Sequence, residues 1–138
     1  MKKILASAVL LTCGLFAGGA GASPVPKDFL GDWVPQKSVC GSPLKLRVTP
    51  TAVELINGRD TQLYGKVETC LSCEGGAKYD GIVVWLFPTM DETPFYVRFN
   101  SDEKPGVTQL EMDDAALAKR FPFQDRPLRK CTTGAKER

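Results

Sequence analysis

The strongest constraint on this chain is a set of four cysteines, Cys40, Cys70, Cys73 and Cys131, that follow an export leader. Lys2 and Lys3 form a positive start, Ile4 to Phe16 an apolar run of 13 residues, and Ala20-Gly21-Ala22 an A-x-A processing site. The run is short of the roughly 20 residues that cross a bilayer, and no later segment is longer. Residues 1–22 are therefore expected to be removed, leaving 116 of the 138 residues as one domain over 23–132 and a disordered basic tail over 133–138. A body of that size buries roughly two-thirds of the surface its unfolded chain exposes, so cross-links matter to it.

The expected destination is the periplasm, with full secretion as the alternative; both are oxidising. A lipid anchor on Cys13 is disfavoured because Thr12 stands where such sites carry a smaller residue. Four cysteines in an exported body imply two disulfides, and three pairings are open. The favoured class sends Cys70 and Cys73 to different distant partners, one of them Cys131, which would anchor the C-terminal segment. The competing reading takes Cys70-Leu71-Ser72-Cys73 as a redox pair, since a C-x-x-C at a helix start lowers a thiol pKa. Glu74, Gly75 and Gly76 oppose it, adding a negative charge and then breaking any such helix. A zinc site lacks its second C-x-x-C, and a haem site lacks the histidine that must follow the pair.

The body reads as β. Leu44 to Val48 alternates apolar and cationic residues, Val53 to Ile56 continues beyond a turn at Thr49 to Ala52, and Asn57-Gly58 signals a reversal. Gln62 to Cys70 is a third run, bent at Gly65. Gly81 to Phe87 is apolar on both faces and is expected to be the central strand, covered on two sides. Phe95 to Phe99 and Val107 to Met112 follow. Asp113 or Asp114 caps a helix over Ala115 to Phe121, stopped by Pro122. The expected fold is mainly antiparallel β, with six or seven strands curled into a sheet, small barrel or sandwich, one short C-terminal helix, and disulfide bracing.

Gly31-Asp32-Trp33 resembles the G-x-W that opens lipocalin-type barrels, where the tryptophan closes one end. Together with Cys40, Cys70-Leu71-Ser72-Cys73-Glu74-Gly75-Gly76, Val83 to Leu86 and Arg129-Lys130-Cys131, it is also similar to a group of small exported proteobacterial proteins of unknown function. The first resemblance implies a small-ligand carrier, although 116 residues are few for a large cup. The second implies the disulfide scaffold and no activity.

The chain has no histidine, which excludes histidine-based triads, bases and metal sites. It has no G-x-S-x-G and no phosphate-binding glycine loop, and no catalytic residue, metal or cofactor is expected. Its formal charge of +2 disappears with Lys2 and Lys3, which removes any global attraction to nucleic acid. What remains is polarised: acids crowd Asp91 to Asp114 and bases Lys119 to Arg138. Tyr96, Arg98, Arg126, Arg129 and Lys130 are the candidate binding surface for a protein or envelope component. The expected function is that of a monomeric, exported, non-catalytic binding or inhibitor-like protein, with the thiol-disulfide and ligand-carrier readings as alternatives. N-terminal sequencing of the protein recovered from its native envelope is expected to start at Ser23; a start at Cys13 would establish the lipid-anchored form.

Overall fold

The computed structural model describes residues 24–74, 82–123 and 126–132. The expected leader and the 133–138 tail lie outside the described residues, as do Gly75 and Gly76. A 3₁₀ turn at Lys27–Phe29 leads into β1 (Gly31–Pro35), β2 (Leu44–Val48), β3 (Val53–Asn57), β4 (Asp60–Tyr64), β5 (Glu68–Cys70), β6 (Val84–Phe87), β7 (Phe95–Phe99), β8 (Thr108–Met112), helix α1 (Ala115–Arg120) and β9 (Leu128–Lys130).

The nine strands form one sheet in the order β4-β3-β2-β1-β9-β8-β7-β6-β5, and every neighbouring pair is antiparallel. Direction therefore alternates along the sheet, and its two edges, β4 and β5, run the same way. Only Gly65 to Val67 separates them in sequence. Three residues cannot carry a chain back into a second parallel strand, which takes a crossover of roughly a dozen or more. Asp60 to Cys70 is thus a single run bent at Gly65, its first half paired with β3 and its second with β6. A strand shared by both ends forces the sheet to curl on itself. Val67 fixes the bend: its side chain is buried and its N–H donates to the Thr51 carbonyl at 3.2 Å.

Alternation then sorts the residues. Trp33, Leu46, Leu55, Leu86, Phe95, Val97 and Phe99 point inward. Phe99 stacks on Phe29 at 4.4 Å and meets Trp33 at 5.3 Å, while the Trp33 indole N–H donates to the Phe29 carbonyl at 2.9 Å. Phe95 takes the edge of Tyr64 at 5.3 Å. Phe121 and Phe123, just beyond α1, are fully buried. These rings belong to the buried core. The Asp114 side chain caps α1, accepting from the N–H groups of Ala116 and Leu117 at 2.8 and 2.9 Å. The two-turn helix is docked by Leu117 and by an Arg120–Asp60 ion pair onto β4.

The β class, the curl, the short helix and the two cross-links are as the sequence implies, and four details differ. Among the described residues there are nine strands, not six or seven, because the bent run divides in two and because G-x-W and the C-terminal Leu128–Lys130 each supply a strand. The latter is too short for periodicity to reveal. The Gly81–Phe87 run is not a central strand covered on both faces: β6 lies next to the edge strand β5, and Trp85 and Phe87 are only half-buried. The β3–β4 reversal falls on Gly58 and Arg59, with Gly58 at φ 63°, one residue later than the Asn57-Gly58 signal. Finally, Cys40 pairs with Cys131 and Cys70 with Cys73, instead of Cys70 and Cys73 going to separate distant partners.

The two bonds do unequal work on stability. Cys40–Cys131 spans 91 residues and Cys70–Cys73 only 3. Loop-closure entropy assigns the first about 5 kcal/mol and the second about 2 kcal/mol. The long bond also ties the Gln36 to Pro43 loop to the end of β9, next to β1, whose Val34 is fully buried although it faces away from Trp33. Arg129 reinforces this closure by donating to the Ser38 carbonyl at 2.6 and 3.1 Å. In urea unfolding, the Cys40→Ser/Cys131→Ser pair is expected to lose about 4–5 kcal/mol and Cys70→Ser/Cys73→Ser about 2 kcal/mol or less. Equal losses would refute that division.

Candidate functional site

The outer face of the sheet has two contrasting parts. On β1 to β3 it is a charged lattice: Asp32 accepts from Arg47 at 2.8 Å and lies 3.8 Å from Lys45, and Arg47 also lies 3.6 Å from Glu54. The Arg47 hydrogen bond, with help from the charges of Arg47 and Lys45, holds the Asp32 carboxyl below its ordinary range against the opposing effect of burial. On β6 to β8 the same face is aromatic.

Alternation places this aromatic ridge. In β6, Val84 and Leu86 enter the core, so Trp85 and Phe87 face outward; in β7, Phe95, Val97 and Phe99 enter, so Tyr96 and Arg98 face outward. Register sets Trp85 opposite Arg98, and continuing it sets Phe87 opposite Tyr96. The rings then stack diagonally. Tyr96 lies on Trp85 at 4.8 Å and 11°, Phe87 meets Trp85 at 5.9 Å, and the Arg98 guanidinium sits 5.6 Å from the Trp85 ring centre.

Polar groups lock the ridge at both sides. Glu74, immediately after the Cys70–Cys73 loop, accepts from the Trp85 indole N–H at 2.6 Å and lies 3.8 Å from Arg98. Across β7, Glu111 of β8 accepts from the Tyr96 hydroxyl and from Arg98 at 2.5 Å, and Gln109 accepts from Arg98 at 2.6 Å. Burial, followed by the hydrogen bond and negative charge of Glu111, pushes the Tyr96 phenol up to about 12.

The five residues singled out in the sequence do not form one surface. Tyr96 and Arg98 lie in the ridge. Arg126 is exposed beside it, in a groove of about 510 Å³ that it shares with Gln109, Glu111, Asp113 and Pro127. Arg129 is engaged by Ser38 and Cys40. Lys130 is the register partner of Trp33, on the other face, and its ammonium donates to the Asp28 carbonyl at 2.8 Å. Adjacent residues on a strand point to opposite sides, so the Arg129-Lys130 pair had to divide. Trp85, Phe87, Glu74, Gln109 and Glu111 were not anticipated. The run holding Trp85 is apolar throughout and hides its outward face; the alternation of Phe95 to Phe99 is the one signal that pointed here.

Tyr96 stacks on the Trp85 ring at 4.8 Å and the Arg98 guanidinium lies 5.6 Å from its centre, so the indole is engaged within the ridge itself. The half-buried rings are bordered by the charges of Glu74, Arg98 and Glu111. The ordered side chains have already lost their rotamer freedom, which lowers the entropy cost of docking a large, complementary surface. Comparison with protein-family models, with curated proteins and with solved structures finds no match for this chain.

Spectrophotometric titration tests the electrostatics. Tyr96 is expected to ionise near 12, and Glu111→Gln to lower that value while leaving it above the ordinary 10, because burial is the larger cause. Since the folded state keeps the proton to higher pH than the unfolded chain, Tyr96 contributes stability that is fully present below pH 10 and is lost as pH rises toward 12. An unchanged titration in Glu111→Gln would refute the contact.

Proposed function

We propose that this chain is an exported, non-catalytic binding protein that docks or blocks a partner protein through the Trp85, Phe87, Tyr96 and Arg98 ridge. The observation that carries this reading is the stacked Phe87, Tyr96, Trp85 and Arg98 array on an outward sheet face, clamped between Glu74 and Glu111. Tryptophan, tyrosine and arginine are the side chains that dominate protein interfaces, and a half-buried cluster ringed by polar groups has the layout of an apolar centre with a charged rim. The groove at Arg126 extends that rim toward β9. Two cross-links in so small a body suit an oxidising compartment, and among the described residues no helix is long and apolar enough to cross a membrane.

The test is affinity capture from the native envelope or its surroundings, followed by measured binding of the recovered partner. Trp85→Ala and Phe87→Ser are each expected to weaken binding about 10- to 100-fold. Arg47→Ala, on the charged part of the sheet, is expected to leave it unchanged. Equal binding by all variants, or equal loss in Arg47→Ala, would overturn the assignment, with circular dichroism confirming that each variant folds.

A further inference from the structure

The Cys70–Cys73 bond adjoins the ridge so directly that its chemistry belongs to the same surface. Cys70 ends β5 and is the register partner of Trp85 on the outward side. Leu71, Ser72 and Cys73 are exposed, Leu71 by 45%, whereas Cys40 and Cys131 are both half-buried. The residue that next leaves the loop is Glu74, the acceptor for the Trp85 indole and the ion-pair partner of Arg98. The short bond therefore fixes the chain direction that delivers Glu74 to the ridge.

We infer that Cys70–Cys73 is a reversible thiol-disulfide exchange site, served by an external dithiol, whose state sets the arrangement of the Trp85–Arg98 ridge through Glu74. In the forward step a donor thiolate attacks the exposed Cys73 Sγ, and the Cys70–Cys73 bond breaks with its electron pair on Cys70 Sγ, which takes up a proton. The donor's second thiolate then displaces Cys73 from the mixed disulfide, and Cys73 in turn is protonated. The protein gains two electrons and two protons as the donor dithiol becomes a disulfide; an oxidised dithiol reverses the exchange. The protein's role is that of the substrate of the exchange, with the external donor supplying the nucleophile. Opening the loop frees Glu74, and both Trp85 and Arg98 lose a clamp.

This inference goes beyond the docking reading and needs no partner for its test, so the two can fail separately. Full-length exported protein is treated with graded dithiothreitol, quenched by alkylation and mapped by mass spectrometry, while tryptophan emission and near-ultraviolet circular dichroism are followed. Cys70–Cys73 is expected to open at least about tenfold faster than Cys40–Cys131, because attack requires access to sulfur. That first step is expected to change the tryptophan signal, to reverse on adding oxidised glutathione, and to be silent in Trp85→Phe, which leaves Trp33 as the remaining indole. Oxidised Glu74→Ala should already show the altered signal and respond little to reduction. Simultaneous opening of both bonds, opening only on unfolding, or a signal that persists in Trp85→Phe would overturn the inference.

Discussion

The bend at Gly65 to Val67 is the constraint on which this architecture depends. Because β4 and β5 are halves of one run, the two edges of the sheet are covalently continuous, and the sheet has no freedom to lie flat. Curling brings β1 and β7 face to face across the interior, where Phe29, Trp33 and Phe99 pack together. The curl also divides the outside of the sheet, setting the charged lattice of β1 to β3 apart from the aromatic ridge of β6 to β8. An edge that ends in its own continuation presents less open backbone for unwanted strand pairing.

The two disulfides belong to different levels of organisation. Cys40–Cys131 closes the chain on itself across the central β1–β9 pair and ties down the loop after β1, so it acts on the global stability of the fold. Cys70–Cys73 ties a four-residue corner whose entropy is small, and its effect is local: it directs Glu74. The charge polarity of the sequence is resolved in a similarly local way. Arg120 pairs with Asp60 of β4, and Arg98 lies between Glu74 and Glu111. Asp60 is held below its ordinary range chiefly by the Arg120 hydrogen bond. These members of the acidic and basic segments thus engage residues brought in by the fold.

Much of the fold is legible in the residues because binary alternation is a local signal. Leu44–Val48, Phe95–Phe99 and the helix capped by Asp114 are read with their boundaries nearly intact. The site is less legible. Tyr96 and Arg98 follow from alternation, but Trp85 and Phe87 sit in a run where inward and outward residues are alike in character, so nothing in the pattern marks which side meets water. Glu74, Gln109 and Glu111 reach the ridge from two different neighbouring segments, and their convergence is a property of strand order. Arg129 and Lys130 show the converse: neighbours in sequence, they are separated by the pleat.

The sequence by itself determined the cross-linked β character, the helix cap and the presence of a bend at Gly65, since each depends on chemistry within a few residues. Only the tertiary structure decided which sulfurs join, which face of β6 is wet, and that an indole, a phenol and a guanidinium stack between two carboxylates. Those outcomes depend on register across strands distant in sequence, and register is set by the burial of the whole inner face at once.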